Sequence, residues 1–286
     1  MSKIIIAGCG YVGSKLAYEL INENQITVFT RTSKNVALLE RKYTTTQLDL
    51  DECDSIPPID SLDSKIFYFI PPPLTGNIDS RLDCFLSSIA KDKMPKQIIL
   101  ISTTGVYGNC GSDWIDETAP ASPDTERGYR RLYAEETLKV FCEKEKVAYV
   151  ILRVPGIYGP DKLPLQRLKE GKPILKLSES PWSNRIHVDD LVQACICSIN
   201  YSGKLHLFNI SDGNPSSMSD YFIKVAKSRG LTEPPQLSMH ECEKIFSNNM
   251  MSYLKESKKI DNSLMLNELG VVLKYPTLTE GLRNDT

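Results

Sequence analysis

The stretch KIIIAGCGYVGSKLAYELINENQITVFTR, residues 3–31, decides the fold. Ile4, Ile5 and Ile6 make an unbroken apolar run of strand length, and Leu16, Ala17, Leu20 and Ile21 recur at helical spacing over residues 14–22. Gly8, Gly10 and Gly13 stand between them as G-x-G-x-x-G, and a second apolar run covers residues 26–30. That order opens a dinucleotide-binding βαβ unit. The first strand turns at Gly8, the bare backbone at Gly10 admits a pyrophosphate, and Gly13 lets the helix pack closely on the strand. The phosphates would rest on the helix N-terminus beside Tyr11 and Val12, where free N–H groups and the helix dipole favour anions. A strand-turn-helix without a ligand is the plainer alternative, and the apolar flanks on both sides of the glycines argue against it.

The end of the second strand selects between dinucleotides, because an acidic residue there would bind the ribose 2′-hydroxyl of NAD. The chain reads Thr30, Arg31, Thr32, Ser33, Lys34, and its next acid is Glu40. A guanidinium pairs bidentately with a 2′-phosphate. Arg31, with Ser33 and Lys34, therefore predicts NADP, with NAD as the less favoured cofactor; an ordinary solvated loop is the alternative for these residues.

The 286 residues can bury a large core, and a formal net charge of −2 with mixed signs gives no electrostatic reason to expect nucleic acid or a membrane surface as partner. No apolar run approaches the length of a spanning helix, and the chain starts directly in its first strand, so a cytoplasmic location is expected. The eight cysteines, at 9, 53, 84, 110, 142, 195, 197 and 242, form no C-x-x-C pair and no zinc spacing. Free, mostly buried thiols and no bound metal are expected.

Strands are predicted over residues 3–7, 26–30, 46–50, 65–70, 97–102 and 148–154, with helices over 80–91 and 126–144. This alternation predicts an α/β fold: a Rossmann-type doubly wound parallel sheet with a smaller C-terminal substrate lobe. After residue 156 prolines and glycines interrupt the pattern, until a strand over 204–210 and a helix over 219–229. The expected division is a dinucleotide-binding domain over 1–156, with 184–212 returning to it, and a substrate lobe from 157–183 and 213–286. The lobe is expected to pack across the mouth of the sheet, where ligands bind in open α/β folds.

Five motifs recur in order: AGCGYVG (7–13), LDLDE (48–52), STTGVYG (102–108), LRVPGIYGP (152–160) and NRIHVDDL (184–191). Together they resemble the extended short-chain dehydrogenase/reductases, the group that contains nucleotide-sugar epimerases and dehydratases. The resemblance implies that Asp49 and Leu50 lie near the adenine, and that the loop with Pro71 and Pro72 lines the cofactor. Here that loop carries three prolines where the family has small residues, and proline there also reads simply as a stiffener. It implies a catalytic role for Thr103, four residues before Tyr107, with Ser102 towards the cofactor and Thr104 towards the substrate. The family's Tyr-x-x-x-Lys pair is absent. Arg127 stands in the tyrosine position and Arg131 in the lysine position. Arg131 could hold the nicotinamide ribose, but no arginine is deprotonated in a protein. Tyr129 is the alternative phenol; it reads either as catalytic or as one of a core stripe with Leu132, Tyr133 and Val140.

On the substrate side the resemblance offers Arg185 and Trp182 as an anion clamp, against a surface arginine beside a packed tryptophan. His187, followed by Val188, Asp189 and Asp190, reads as architecture. The leading function is an NADP-dependent oxidoreductase or epimerase/dehydratase-like enzyme acting by hydride transfer on a small polar or nucleotide-sugar substrate. The rival is a catalytically impaired NADP-binding regulatory or interaction protein. Family members often dimerise through helices corresponding to 80–91 and 126–144, which makes a homodimer possible.

Overall fold

Ile4, Ile5, Ile6 and Ala7, none more than 4% exposed, run through the middle of a seven-stranded sheet. The computed structural model describes residues 1–31 and 43–284. The sheet is built from β1 (Ser2–Ala7), β2 (Asn24–Thr30), β3 (Thr44–Gln47), β4 (Ser64–Tyr68), β5 (Gln97–Thr103), β6 (Ala148–Val154) and β7 (Leu207–Asn209), in the order β3-β2-β1-β4-β5-β6-β7. β1 pairs in parallel with β2 and β4, β2 with β3, and β4 with β5. The α/β Rossmann-type sheet expected from the sequence is therefore present. The loops after these strands gather at one edge, the place where such sheets bind ligands.

Helix α1 (Tyr11–Leu20) buries Val12, Leu16, Ala17 and Leu20. Helices α2 (Ser80–Ser88) and α3 (Glu126–Glu145) enclose a core in which Leu82, Phe85 and Leu138 meet Ile66, Tyr68, Ile98 and Leu100. Each such side chain contributes about 1.5–3 kcal/mol by leaving water.

Two boundaries differ from the sequence reading because local hydrogen bonds intervene. The strand expected over 46–50 ends at Gln47, since the Asp49 carboxylate accepts the Asp51 N–H at 3.1 Å and turns the chain. The helix expected to reach residue 91 stops at Ser88, where Ile59 N–H donates to the Ser88 carbonyl and Ala90 N–H to that of Ile59. The expectation of free thiols is also corrected. Cys53 and Cys84 form a disulfide, because a 3₁₀ turn at Cys53–Ser55 lies against α2 with the two Cα atoms 5.6 Å apart. Sequence spacing carries no trace of that proximity.

The chain divides into two compact units: Met1–Val106, Glu126–Arg153 and Val192–Phe208 form the first, and Tyr107–Thr125, Val154–Leu191 and Asn209–Thr286 the second. Tyr107–Thr125, which a single domain over 1–156 would keep with the sheet, falls in the second unit. There Trp114–Ile115 pairs with Lys259–Ile260. The second unit also holds α5 (Met218–Ser228), which follows α4 (Val188–Ile199) in the chain. Among the described residues no helix is long and apolar enough to cross a membrane.

Candidate functional site

The glycine turn is built as its spacing requires. Gly8 has φ +96°, and a Cβ there would meet the Ile70 backbone nitrogen at 2.9 Å. A Cβ on Gly13 would lie 2.5 Å from the Gly8 carbonyl oxygen, so only glycine lets α1 approach β1 this closely. Gly10 is different, because a Cβ there would meet no atom within 4 Å. Gly10 caps α1 without a side-chain hydrogen bond, and the first turn carries no acid. There is thus room beside Gly10 at this helix end and nothing negative in the turn, which fits a pyrophosphate. Tyr11 and Val12 open the helix, Tyr11 half-buried and Val12 buried.

At the end of β2, Arg31 is exposed and its guanidinium lies 3.6 Å from the Asp51 carboxylate. Asp51 is gripped by Arg81 from α2, whose Nε and Nη2 donate to the two carboxylate oxygens at 2.6 and 2.7 Å. Arg81 Nη1 also donates to the Pro71 and Pro72 carbonyls, so one side chain joins the loop after β3 to the loop after β4. The Asp49 carboxylate organises its own turn, and Leu50 beside it is buried. Sequence reading missed Asp51 and Arg81, which stand 30 residues apart and reveal their pairing by no spacing. Ser33 and Lys34 lie outside the described residues.

At the end of β5, Ser102 is buried and donates to Glu135, which also receives the Arg153 guanidinium. The Thr103 oxygen accepts the Gly105 N–H at 3.1 Å, and Thr104 is buried at the head of the following 3₁₀ turn. Tyr129 is 46% exposed on the first turns of α3. The stripe of Tyr129, Tyr133 and Val140 is not core: the buried face of α3 carries Ala134, Leu138 and Cys142, and the Tyr133 hydroxyl donates to Asp83 at 2.9 Å.

Arg131 projects into a polar cluster of the first unit. Its Nη1, the Tyr68 hydroxyl and Oδ2 of Asp79 are buried without hydrogen-bond partners. Asp79 uses its other oxygen to cap α2 through the Leu82 N–H. Burial pushes the Asp79 carboxyl up and the Tyr68 phenol well up, while the Arg131 charge acts in the opposite sense on both. Orphaned polar atoms at the position where the family places its lysine suit a hydroxyl-bearing ligand.

In the second unit, Arg185 stacks over the Tyr221 ring at 4.2 Å, donates to the Asn184 carbonyl and leaves its Nε without a partner. Trp182 is held separately, with the Lys259 ammonium 4.6 Å from its ring centroid. His187 is fully buried against Tyr275 and Tyr158, and both oxygens of Asp190 accept backbone N–H groups from Lys274 and Tyr275. This segment therefore pins the C-terminal part of the chain.

Burial pushes the Asp212 carboxyl up to about 7, against the opposing effects of the Asn214 N–H and the Arg185 charge. Because the folded chain keeps this proton to higher pH than the unfolded chain, the contribution is complete below the usual carboxylate range and is lost as pH rises towards 7. Asp212→Asn is expected to abolish that loss, which approaches about 1.4 kcal/mol per pH unit. Urea unfolding of both proteins between pH 4 and 8 checks it, and parallel pH profiles would contradict it.

The family model described as "NAD dependent epimerase/dehydratase family" matches residues 72–211. A conserved protein of Silicibacter pomeroyi whose function is not known is 25% identical, with TM-score 0.82 over 99% of this chain and 98% of that one. UDP-glucose 4-epimerase of Thermotoga maritima, solved with UDP-glucose, is 20% identical, with TM-score 0.80 over 99% and 97%. UDP-glucuronic acid 4-epimerase of Bacillus cereus, solved with UDP-glucuronic acid and NAD, is 18% identical, with TM-score 0.77 over 99% and 97%. The same NAD is bound in further solved relatives. These relatives overturn the expectation of NADP. The structure supplies the physical reason, since the Arg31 guanidinium that was to grip a 2′-phosphate already faces a carboxylate. The matched segment runs from the proline loop through the Thr103 turn and the arginines of α3 to Ser211, with the glycine turn preceding it on the same sheet. Residues 72–211 of this chain thus match the NAD dependent epimerase/dehydratase family model, and the whole chain shares its fold with solved epimerases and dehydratases.

Proposed function

We propose that this chain is an NAD-dependent enzyme of the epimerase/dehydratase type that acts on a nucleotide sugar by hydride transfer. The observation that carries the reading is the glycine turn, where Gly8 and Gly13 allow the close strand-helix approach and Gly10 leaves room at the start of α1 with no acid in its first turn. The first unit then takes the dinucleotide on Gly8, Gly10, Tyr11, Val12 and Gly13, with Asp49, Leu50, Pro71 and Pro72 along the adenosine half and Ser102 and Arg131 at the nicotinamide half. The second unit takes the substrate with Trp182 and Arg185.

NAD, when bound, supplies a site that accepts and returns a hydride. The Thr103 oxygen already accepts the Gly105 N–H, so the hydroxyl proton is free to hydrogen-bond the reacting substrate oxygen, with Thr104 beside it. Arg127 cannot release a proton, which leaves Tyr129 or water to carry it. Two copies pair through α2 and α3, where Val140 stands 65% exposed over a groove of about 620 Å³.

Thr103→Ala is expected to slow turnover of UDP-glucose, followed by NMR, by about 100-fold, as loss of one preorganised donor does. NADH affinity should change less than about twofold, because Thr103 serves the substrate oxygen rather than the phosphates. An unchanged rate would remove Thr103 from the mechanism. The replacement of the family tyrosine by Arg127 favours one other reading, a chain that takes up NAD without exchanging hydride.

A further inference from the structure

We propose that Asp51 sets the dinucleotide preference of this chain: its carboxylate, fixed by Arg81, occupies the Arg31 guanidinium and bars a 2′-phosphate from the end of β2. The inference rests on the NAD reading above and explains how an arginine at that position is compatible with it. The acid that should close the second strand of such a fold is missing, and a cation takes its place. The acid arrives instead from the next loop. The Asp49 turn reverses the chain so that Asp51 meets Arg31, and the Cys53–Cys84 disulfide ties the same loop to α2.

The three side chains differ in freedom. Arg81 is 16% exposed and donates to both carboxylate oxygens in a fork, so Asp51 has a fixed place and orientation. The Arg81 hydrogen bond holds its carboxyl below the usual range, which keeps it charged. Arg31, 62% exposed, is the adjustable partner. A ribose 2′-hydroxyl can donate to a carboxylate, whereas a 2′-phosphate reaching Arg31 must stand beside Asp51 and lose the guanidinium to it. Preference then comes from a repulsive group, a common way to build specificity. Arg81 also bonds the Pro71 and Pro72 carbonyls, so both loops share the anchor that fixes the acid.

Fluorescence titration of the purified full chain with NADH and NADPH tests this. The wild-type chain is expected to prefer NADH. Asp51→Asn should shift the affinity ratio towards NADPH by about tenfold or more, through a gain in NADPH affinity. Adding Arg31→Ala to Asp51→Asn should abolish the gain, and Asp51→Glu should keep the wild-type preference. A wild-type preference for NADH that survives Asp51→Asn within twofold overturns this inference alone, as does an NADPH gain that persists without Arg31. A wild-type chain that binds neither dinucleotide overturns the NAD reading and this inference with it.

Discussion

Replacing Glu135 by glutamine is expected to cost about 3–5 kcal/mol of folding free energy, the range for removing one partner of a buried ion pair. Glu135 and Arg153 are each 6% exposed. Arg153 Nη2 donates to the carboxylate at 2.6 Å, its Nε adds bonds to both oxygens, and the Ser102 hydroxyl supplies a further donor. Ser102 on β5, Glu135 on α3 and Arg153 on β6 are all buried, so a guanidinium that loses its carboxylate is poorly solvated. Coulomb attraction alone does not make this pair stabilising, since desolvation offsets most of it. The expected loss comes from leaving the buried Arg153 charge without its carboxylate. Urea unfolding of Glu135→Gln, Arg153→Met and the double variant separates these terms. The double variant should recover much of the loss, and a cost below 1 kcal/mol for Glu135→Gln would contradict the assignment.

Arg131→Ala is expected to weaken NADH binding by about 10- to 100-fold, which corresponds to the 1.5–3 kcal/mol of a charge-assisted hydrogen bond. Arg131 Nη1 is buried and makes no hydrogen bond within the protein, so the prediction is that the dinucleotide supplies its partner. Arg131→Lys should retain most of the affinity, since lysine keeps the charge at the position the family gives to lysine. Because Asp79 would lose a neighbouring cation in the alanine variant, thermal unfolding without dinucleotide belongs beside the titration. Unchanged NADH affinity in a folded Arg131→Ala chain would show that the guanidinium serves only the interior.

The parts of the fold that were legible in the sequence are those governed by short-range pattern. The Ile4, Ile5 and Ile6 run, the Gly8, Gly10 and Gly13 spacing and the Leu16, Ala17 and Leu20 stripe each encode their structure within one or two turns or strands. The β3-β2-β1-β4-β5-β6 order follows from right-handed crossovers once those elements are recognised. Helix α3 was less legible. Its buried face carries Arg130 and Glu135 beside Ala134 and Leu138, so polarity does not mark which side faces the core. The dinucleotide preference was misread because sequence proximity stood in for spatial proximity. Arg31 was weighed against acids that follow it closely, whereas the acid that meets it comes from beyond β3. The Cys53–Cys84 link and the Arg81 anchor escaped notice for the same reason: each joins loops that only the folded sheet brings together.

The fate of the hydride bears most directly on the proposed function. The purified chain is incubated with NAD and a panel of UDP-sugars carrying deuterium at the reacting sugar carbon, and the dinucleotide is read by mass spectrometry. Deuterium in the reduced dinucleotide during turnover is the expected result. A chain that binds NAD yet leaves every label on the sugar contradicts the hydride-transfer claim and leaves a dinucleotide-binding module.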